Sequence, residues 1–184
     1  MKTLNSIKVV LIFISALLLT TSATQALADQ AGPYYATPSW DQQLPASTRF
    51  VVLSNWSGAA VLDRETGLVW EKTPSDIMMN WSDAHAFCIV KNLGGRTGWK
   101  LPSIQEIFSL IDMTQSPPLP AGHPFVIPSG AGYIWSATTL YDYPGYAWSP
   151  NVATGPVVKY ITRYSKNSVI GTWCVRGGSG VDFQ

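Results

Sequence analysis

The chain reads as an α+β protein, and three observations predict that class. A hairpin pattern stands at residues 59–70, two capped helical stretches follow within residues 82–111, and the later half carries only short extended runs. The first extended piece is Phe50-Val51-Val52-Leu53, just after Arg49. Ala59-Ala60-Val61-Leu62 and Leu68-Val69-Trp70 then flank Asp63-Arg64-Glu65-Thr66-Gly67, a hairpin in which Gly67 is free to take positive φ. Ser82 can cap a helix over residues 83–93, with Trp81 just outside it. Ala84, Phe87, Cys88 and Lys91 fall on or beside one stripe, and Gly94-Gly95 ends the helix. A second helix is marked by a capping box of Ser103 and Glu106, by Pro102 before it, and by an apolar face of Ile104, Ile107, Phe108 and Ile111. Residues 114–132 carry Pro117, Pro118, Pro120, Pro124 and Pro128, too many breakers for either period, and predict a long ordered loop. Short β runs follow at residues 133–139, 146–149, 157–162 and 169–175, so the later half is mainly antiparallel sheet.

Ahead of these elements, Lys2 and Lys8 precede an apolar run over residues 9–19, and Ala26-Leu27-Ala28 supplies a small-residue cleavage pattern. Residues 1–28 therefore read as a signal peptide, with export to the periplasm, the medium or the cell surface and no stable membrane insertion after cleavage. An uncleaved N-terminal anchor is the alternative. Residues 29–48, rich in Pro, Gln, Ser and Ala, read as a tail, residues 49–178 as one folded domain, and residues 179–184 as a C-terminal tail. In an oxidising compartment the two cysteines, Cys88 and Cys174, allow one intramolecular pairing; two buried free thiols are the other reading that the residues leave open.

The 184 residues hold 12 Lys and Arg against 11 Asp and Glu, and removing Lys2 and Lys8 leaves the mature chain at about minus one. That balance argues against nucleic acid as a partner, because neutralising phosphates takes a clustered basic surface. Charged residues make up 12%, about half the usual share, while eight Trp and eight Tyr supply flat apolar faces with polar tips. Such rings serve a core first and a sugar-stacking surface second.

Three pieces in order carry a resemblance: 81-WSDAHAFC-88, 98-GWKLPSIQE-106 and 174-CVRGG-178. With 63-DRETGLVW-70 and 134-IWSATT-139, they resemble the bacterial Lcl C-terminal domain family, a domain of unknown function named after a collagen-like adhesin. Lys100, Ile134 and Trp173 depart from the residues usual there. The resemblance implies a C-type-lectin-like fold, two helices packed on a twisted antiparallel sheet with long irregular loops, related to the formylglycine-generating-enzyme group. It also implies a disulfide between Cys88 and Cys174.

Catalysis is not expected. With both cysteines in one bridge no thiol remains for chemistry of the formylglycine-generating type, and no Gly-x-Ser-x-Gly elbow is present. His85 lies among Ala and Phe in the first helix, His123 precedes Pro124 in the loop, and neither has companions at metal-ligand spacing, so no metal or cofactor is expected. Trp148-Ser149-Pro150-Asn151 approaches a calcium-dependent sugar-binding triplet but has Ser149 where a carboxylate is needed. Gly94-Gly95-Arg96-Thr97-Gly98 neither follows a strand nor opens a helix, so it does not support a phosphate cradle.

A recognition surface remains. In residues 157–163 alternation puts Lys159 and Arg163 on one face, roughly 13 Å apart at strand rise, a spacing that can track sulfates or carboxylates on a glycan. Lys166 follows, and the turn over residues 141–146 offers Tyr143 and Tyr146, with Trp148 close behind. The expectation is an exported, non-catalytic binder of glycan or of a cell-surface component, with Tyr143, Tyr146, Trp148, Lys159, Arg163 and Lys166 as ligand-binding residues. A structural or protein-interaction component of the bacterial envelope is the alternative, and an enzyme of the related fold lacking its usual cysteines is a third. Oligomeric state is not specified by these residues.

Overall fold

The computed structural model describes residues 44–129, 131–153 and 161–177, so the signal-peptide reading, most of the residue 29–48 tail, Lys159 and the C-terminal tail lie outside the described residues. Within them the chain is α+β: few, short helices lie among antiparallel sheets, and one disulfide joins Cys88 to Cys174. Helix α1 (Ala46–Arg49) takes in the last residues of the stretch read as a tail. It leads into β1 (Phe50–Val52), a short 3-10 turn (Ser54–Trp56), β2 (Ala60–Asp63) and β3 (Val69–Glu71). The β2–β3 turn closes through the Gly67 N–H on the Asp63 carbonyl at 2.8 Å, with Gly67 at φ +72° as its position demands.

Next come β4 (Ser75–Met79), α2 (Trp81–Ile89), β5 (Trp99–Lys100) and α3 (Ile104–Phe108). Strands β6 (Tyr146–Pro150), β7 (Ile161–Ser165), β8 (Ile170–Thr172) and β9 (Val175–Arg176) complete the order. The single twisted sheet of the expectation is replaced by three: five strands in the order β1-β2-β3-β9-β5, and two separate pairs, β4-β8 and β6-β7.

Helix α2 differs from its sequence reading at both ends. Its cap is Asn80, whose side-chain oxygen accepts the Asp83 N–H at 2.9 Å, so Trp81 lies inside the helix and Ser82 does not cap it. The helix stops at Ile89, and Gly94 and Gly95 belong to a later turn closed by Leu93 and Arg96. Gly94 is held against Trp56 so closely that a Cβ there would stand 2.7 Å from the Trp56 Cβ.

Helix α3 has the expected capping box: the Ser103 Oγ accepts the Glu106 N–H, and the Glu106 carboxylate accepts the Ser103 N–H at 2.8 Å. It is shorter than its apolar pattern, because Leu110 and Ile111 turn back on Ile107 and Phe108 through three-residue bonds. Lys100, one of the departures, bonds Glu106 at 2.8 Å and holds the box from the strand side.

Residues 133–139 were expected to form a strand and instead make isolated bridges. Their N–H groups go in turn to Pro150, Gly171, Trp148 and Pro102, so no single neighbour can run a ladder along them. The run over residues 169–175 is likewise divided. Trp173 donates its indole N–H to the Glu71 carbonyl at 2.8 Å and crosses the chain from the β4-β8 pair into the five-stranded sheet.

Two buried clusters result. Phe50, Trp70, Phe125 and Trp173 centre the first; Trp56, Trp99, Trp135 and the disulfide sulfurs centre the second. Most of the described tryptophans are therefore core residues, packed edge to face as Trp56 is on Trp99 and Phe125 on Trp173. Arg49 closes one side of the body: buried, it forks onto Asp63 at 2.9 and 2.8 Å, pairs with Glu65, and donates to the Ser109 carbonyl.

Candidate functional site

The β6–β7 hairpin brings together four of the six residues expected to bind a ligand. Its register sets Tyr146 against Ser165, Ala147 against Tyr164, Trp148 against Arg163 and Ser149 against Thr162. Alternation then separates two faces. Ala147 and Ser149 are buried on the inner face, while Tyr146, Trp148 and Arg163 share the outer one.

Tyr143 joins them from the preceding turn. Leu140 is buried and anchors that turn, donating its N–H to the Tyr146 carbonyl at 3.0 Å, and the Tyr146 N–H closes it onto the Tyr143 carbonyl at 2.8 Å. The Tyr143 and Tyr146 rings stand 6.2 Å apart with 78° between their planes, and the Arg163 guanidinium lies 5.8 Å from the Tyr143 ring centroid. Tyr143 is 57% exposed and Tyr146 40%, so the corner formed by the two rings is open to solvent. Trp148, two residues along the same face from Tyr146, is half-buried.

Lys166 is not part of this face. Its Nζ sits 3.9 Å from the Trp81 ring centroid and donates to the Thr139 Oγ1 at 2.8 Å, and burial lowers its pKa below the usual lysine value. Its main chain is tied in as well, with the Lys166 carbonyl accepting from Trp81. The residue joins the start of α2 to the hairpin. Lys159 lies outside the described residues.

The other sequence candidates fall into structural roles. His85 packs edge-on against Trp81 with ring centroids 4.1 Å apart. The His123 Nδ1 accepts the Phe125 N–H at 3.1 Å, its ring stacks on Phe125, and burial lowers its pKa, which favours the neutral acceptor form that this bond requires. In the calcium-like triplet, Ser149 is buried and bonds the Ala147 carbonyl, while the Asn151 oxygen accepts the Ala153 N–H in a local turn. Among the described residues no group of three or more His, Cys, Asp or Glu side chains is placed to hold a metal ion.

Sequence reasoning missed Glu71. This buried carboxylate accepts from the Lys91 ammonium on one oxygen and from the Cys174 N–H at 2.7 Å on the other. Burial pushes its pKa up, and the bonds from Lys91 and Cys174 counter part of that rise. Glu71 also lines a cleft of about 350 Å³ with Gly58, Ala59, Lys72, Thr73, Leu93 and Val126. The signal available in the sequence was a charged residue at the end of an apolar strand in a chain poor in charge.

The model of the Lcl C-terminal domain family matches residues 59–176, a span that contains the hairpin, both helices named by motif, and the disulfide. No curated protein matches the chain significantly.

Proposed function

The chain belongs to the Lcl C-terminal domain family, and we propose that it is an exported, non-catalytic module with a C-type-lectin-like fold that binds glycan at the outer face of the β6–β7 hairpin. The observation that carries this reading is the open corner of Tyr143 and Tyr146 beside Arg163. Exposed rings present flat apolar faces to the C–H faces of a pyranose, and their hydroxyls with the guanidinium supply directed polar contacts. The face is built on a paired hairpin whose inner side is buried, so its rings are held in place before a ligand arrives. The scaffold spends both sulfurs on the bridge that ties α2 to the chain between β8 and β9, which supports a binding role over thiol chemistry. Periplasm, medium or cell surface is the compartment this reading assigns.

A second reading, a protein-interaction component of the envelope, draws on a different surface. Ile77 and Met78 on β4 and Val169 beside β8 are large apolar side chains left exposed together with a strand that pairs on one side. A glycan array combined with heparin-column retention at varied salt separates the two. A glycan signal that disappears in Tyr146→Ala and in Lys159→Ala/Arg163→Ala upholds glycan binding. A blank array with no retention, alongside capture of an envelope protein that Ile77→Asp abolishes, upholds the second reading instead.

A further inference from the structure

Within the glycan-binding reading, on which this inference rests, we infer that the hairpin face selects a glycan that carries uronic acid, and that Arg163 is the group that takes its carboxylate. Three other arginines spend donors within the protein, Arg49 on Asp63 and the Ser109 carbonyl, Arg64 on the Thr48 carbonyl and Arg176 on the Thr97 carbonyl; Arg96 is exposed as Arg163 is, but among the described residues no aromatic ring lies against its guanidinium. Arg163 is exposed and makes no hydrogen bond or ion pair with any described residue; its contact is the ring of Tyr143. Contact with a ring face leaves the in-plane N–H fork of a guanidinium free, and a planar carboxylate meets such a fork with two parallel hydrogen bonds.

The surroundings of Arg163 give the acid a sugar to be attached to. Trp148 stands directly across the strand pair, Tyr146 lies one diagonal step away, and the Tyr143 ring centroid is 5.8 Å from the guanidinium. With 78° between their planes, one tyrosine offers a face for a pyranose ring and the other borders its edge, beside the group that would hold the C6 carboxylate. Lys166 adds no charge beside Arg163, since it is on the opposite side bonded to Thr139. Asp142, exposed in the turn next to Tyr143, adds negative charge at the same end, which a polysulfated chain would meet unfavourably.

The experiment is calorimetric titration of the full exported chain with tetragalacturonate, with its methyl ester, and with a heparin tetrasaccharide, each at low and moderate salt. Tetragalacturonate is expected to bind at least tenfold more tightly than its methyl ester, with a salt dependence of about one neutralised charge. Arg163→Lys, which keeps the charge and removes the fork, is expected to erase most of that preference at an unchanged melting temperature. Equal binding of acid and ester, with Tyr146→Ala still weakening both, overturns the carboxylate assignment and leaves glycan binding intact. Preference for the heparin fragment with a salt dependence of several charges also overturns it. Absence of any binding here, together with a blank array, overturns glycan binding itself.

Discussion

The carboxylate of Glu71 accepts the backbone N–H of Cys174 at 2.7 Å, so a buried ionisable group is bonded directly to one end of the disulfide bridge. Its second oxygen takes the Lys91 ammonium, its carbonyl takes the Trp173 indole, and its own N–H goes to the Cys174 carbonyl. One residue therefore joins β3, the exit of α2 and the crossing between two sheets.

Glu71→Ala is expected to destabilise the protein by about 2–4 kcal/mol, because it leaves the Cys174 N–H unpaired and strips a half-buried lysine of its counter-charge. Urea unfolding checks this. A loss below about 0.5 kcal/mol would mean that the bonds to Glu71 contribute little.

The same residue predicts a pH dependence of definite sign. Burial holds the Glu71 pKa above its ordinary value, so in that window the folded protein binds a proton that the unfolded chain does not. Its contribution to stability is therefore fully present below the unfolded value and declines as pH rises through the folded one. Melting temperatures of the parent and Glu71→Gln between pH 4 and pH 8 isolate the effect: their difference is expected to change across the acid range and to level off above it.

Arg49→Met is expected to cost about 3–5 kcal/mol, since it leaves the fully buried Asp63 without its main partner. The double variant Arg49→Met/Asp63→Asn should recover a large part of the loss. Chemical denaturation of the three variants measures both steps; failure of the second substitution to restore stability would place the effect in packing on Phe50, over which the guanidinium also lies.

Helix caps are local and smaller. Asn80→Ala and Ser103→Ala are each expected to cost about 1 kcal/mol, and Ser82→Ala less than half of that, because Asn80 and not Ser82 accepts the helix N–H. Thermal melts of the three variants rank them.

Removing the bridge in a Cys88→Ala/Cys174→Ala variant is expected to lower stability by roughly 4 kcal/mol on the chain-entropy account, given the 86-residue separation. Thiol titration of unreduced protein should find no free group, while the denaturant midpoint falls on reduction. A midpoint insensitive to reductant would contradict the first half of this expectation.

Much of this architecture was legible because it is local. The Ser103 box with Pro102 before it, and the Asp63 to Gly67 turn, involve residues a few positions apart whose chemistry admits one arrangement. Asn80 and Ser82 both cap well, and choosing between them depends on where Trp81 packs, with its indole N–H on the Ser136 carbonyl far along the chain. The division of residues 169–175 between two sheets depends in the same way on Glu71, about a hundred positions earlier. At the hairpin, alternation alone put Lys166, three residues beyond Arg163, on the other face; grouping it with Arg163 followed proximity in sequence rather than the period of a strand. Tyr143, Tyr146 and Trp148 were legible as a group because the turn that gathers them is short, but their openness to solvent depends on Leu140 and Ala147 occupying the interior.

The order in which the body can be completed follows from where β8 and β9 lie. Residues 170–176 provide the partner of β4, the strand between β3 and β5, and the second sulfur of the bridge. A ribosome that still holds this stretch leaves two sheets open and Cys88 unmatched, however much of the earlier sequence has emerged. Completion is thus gated by residues 170–176, and a chain stopped before Ile170 will present itself to proteases as an unfinished shell.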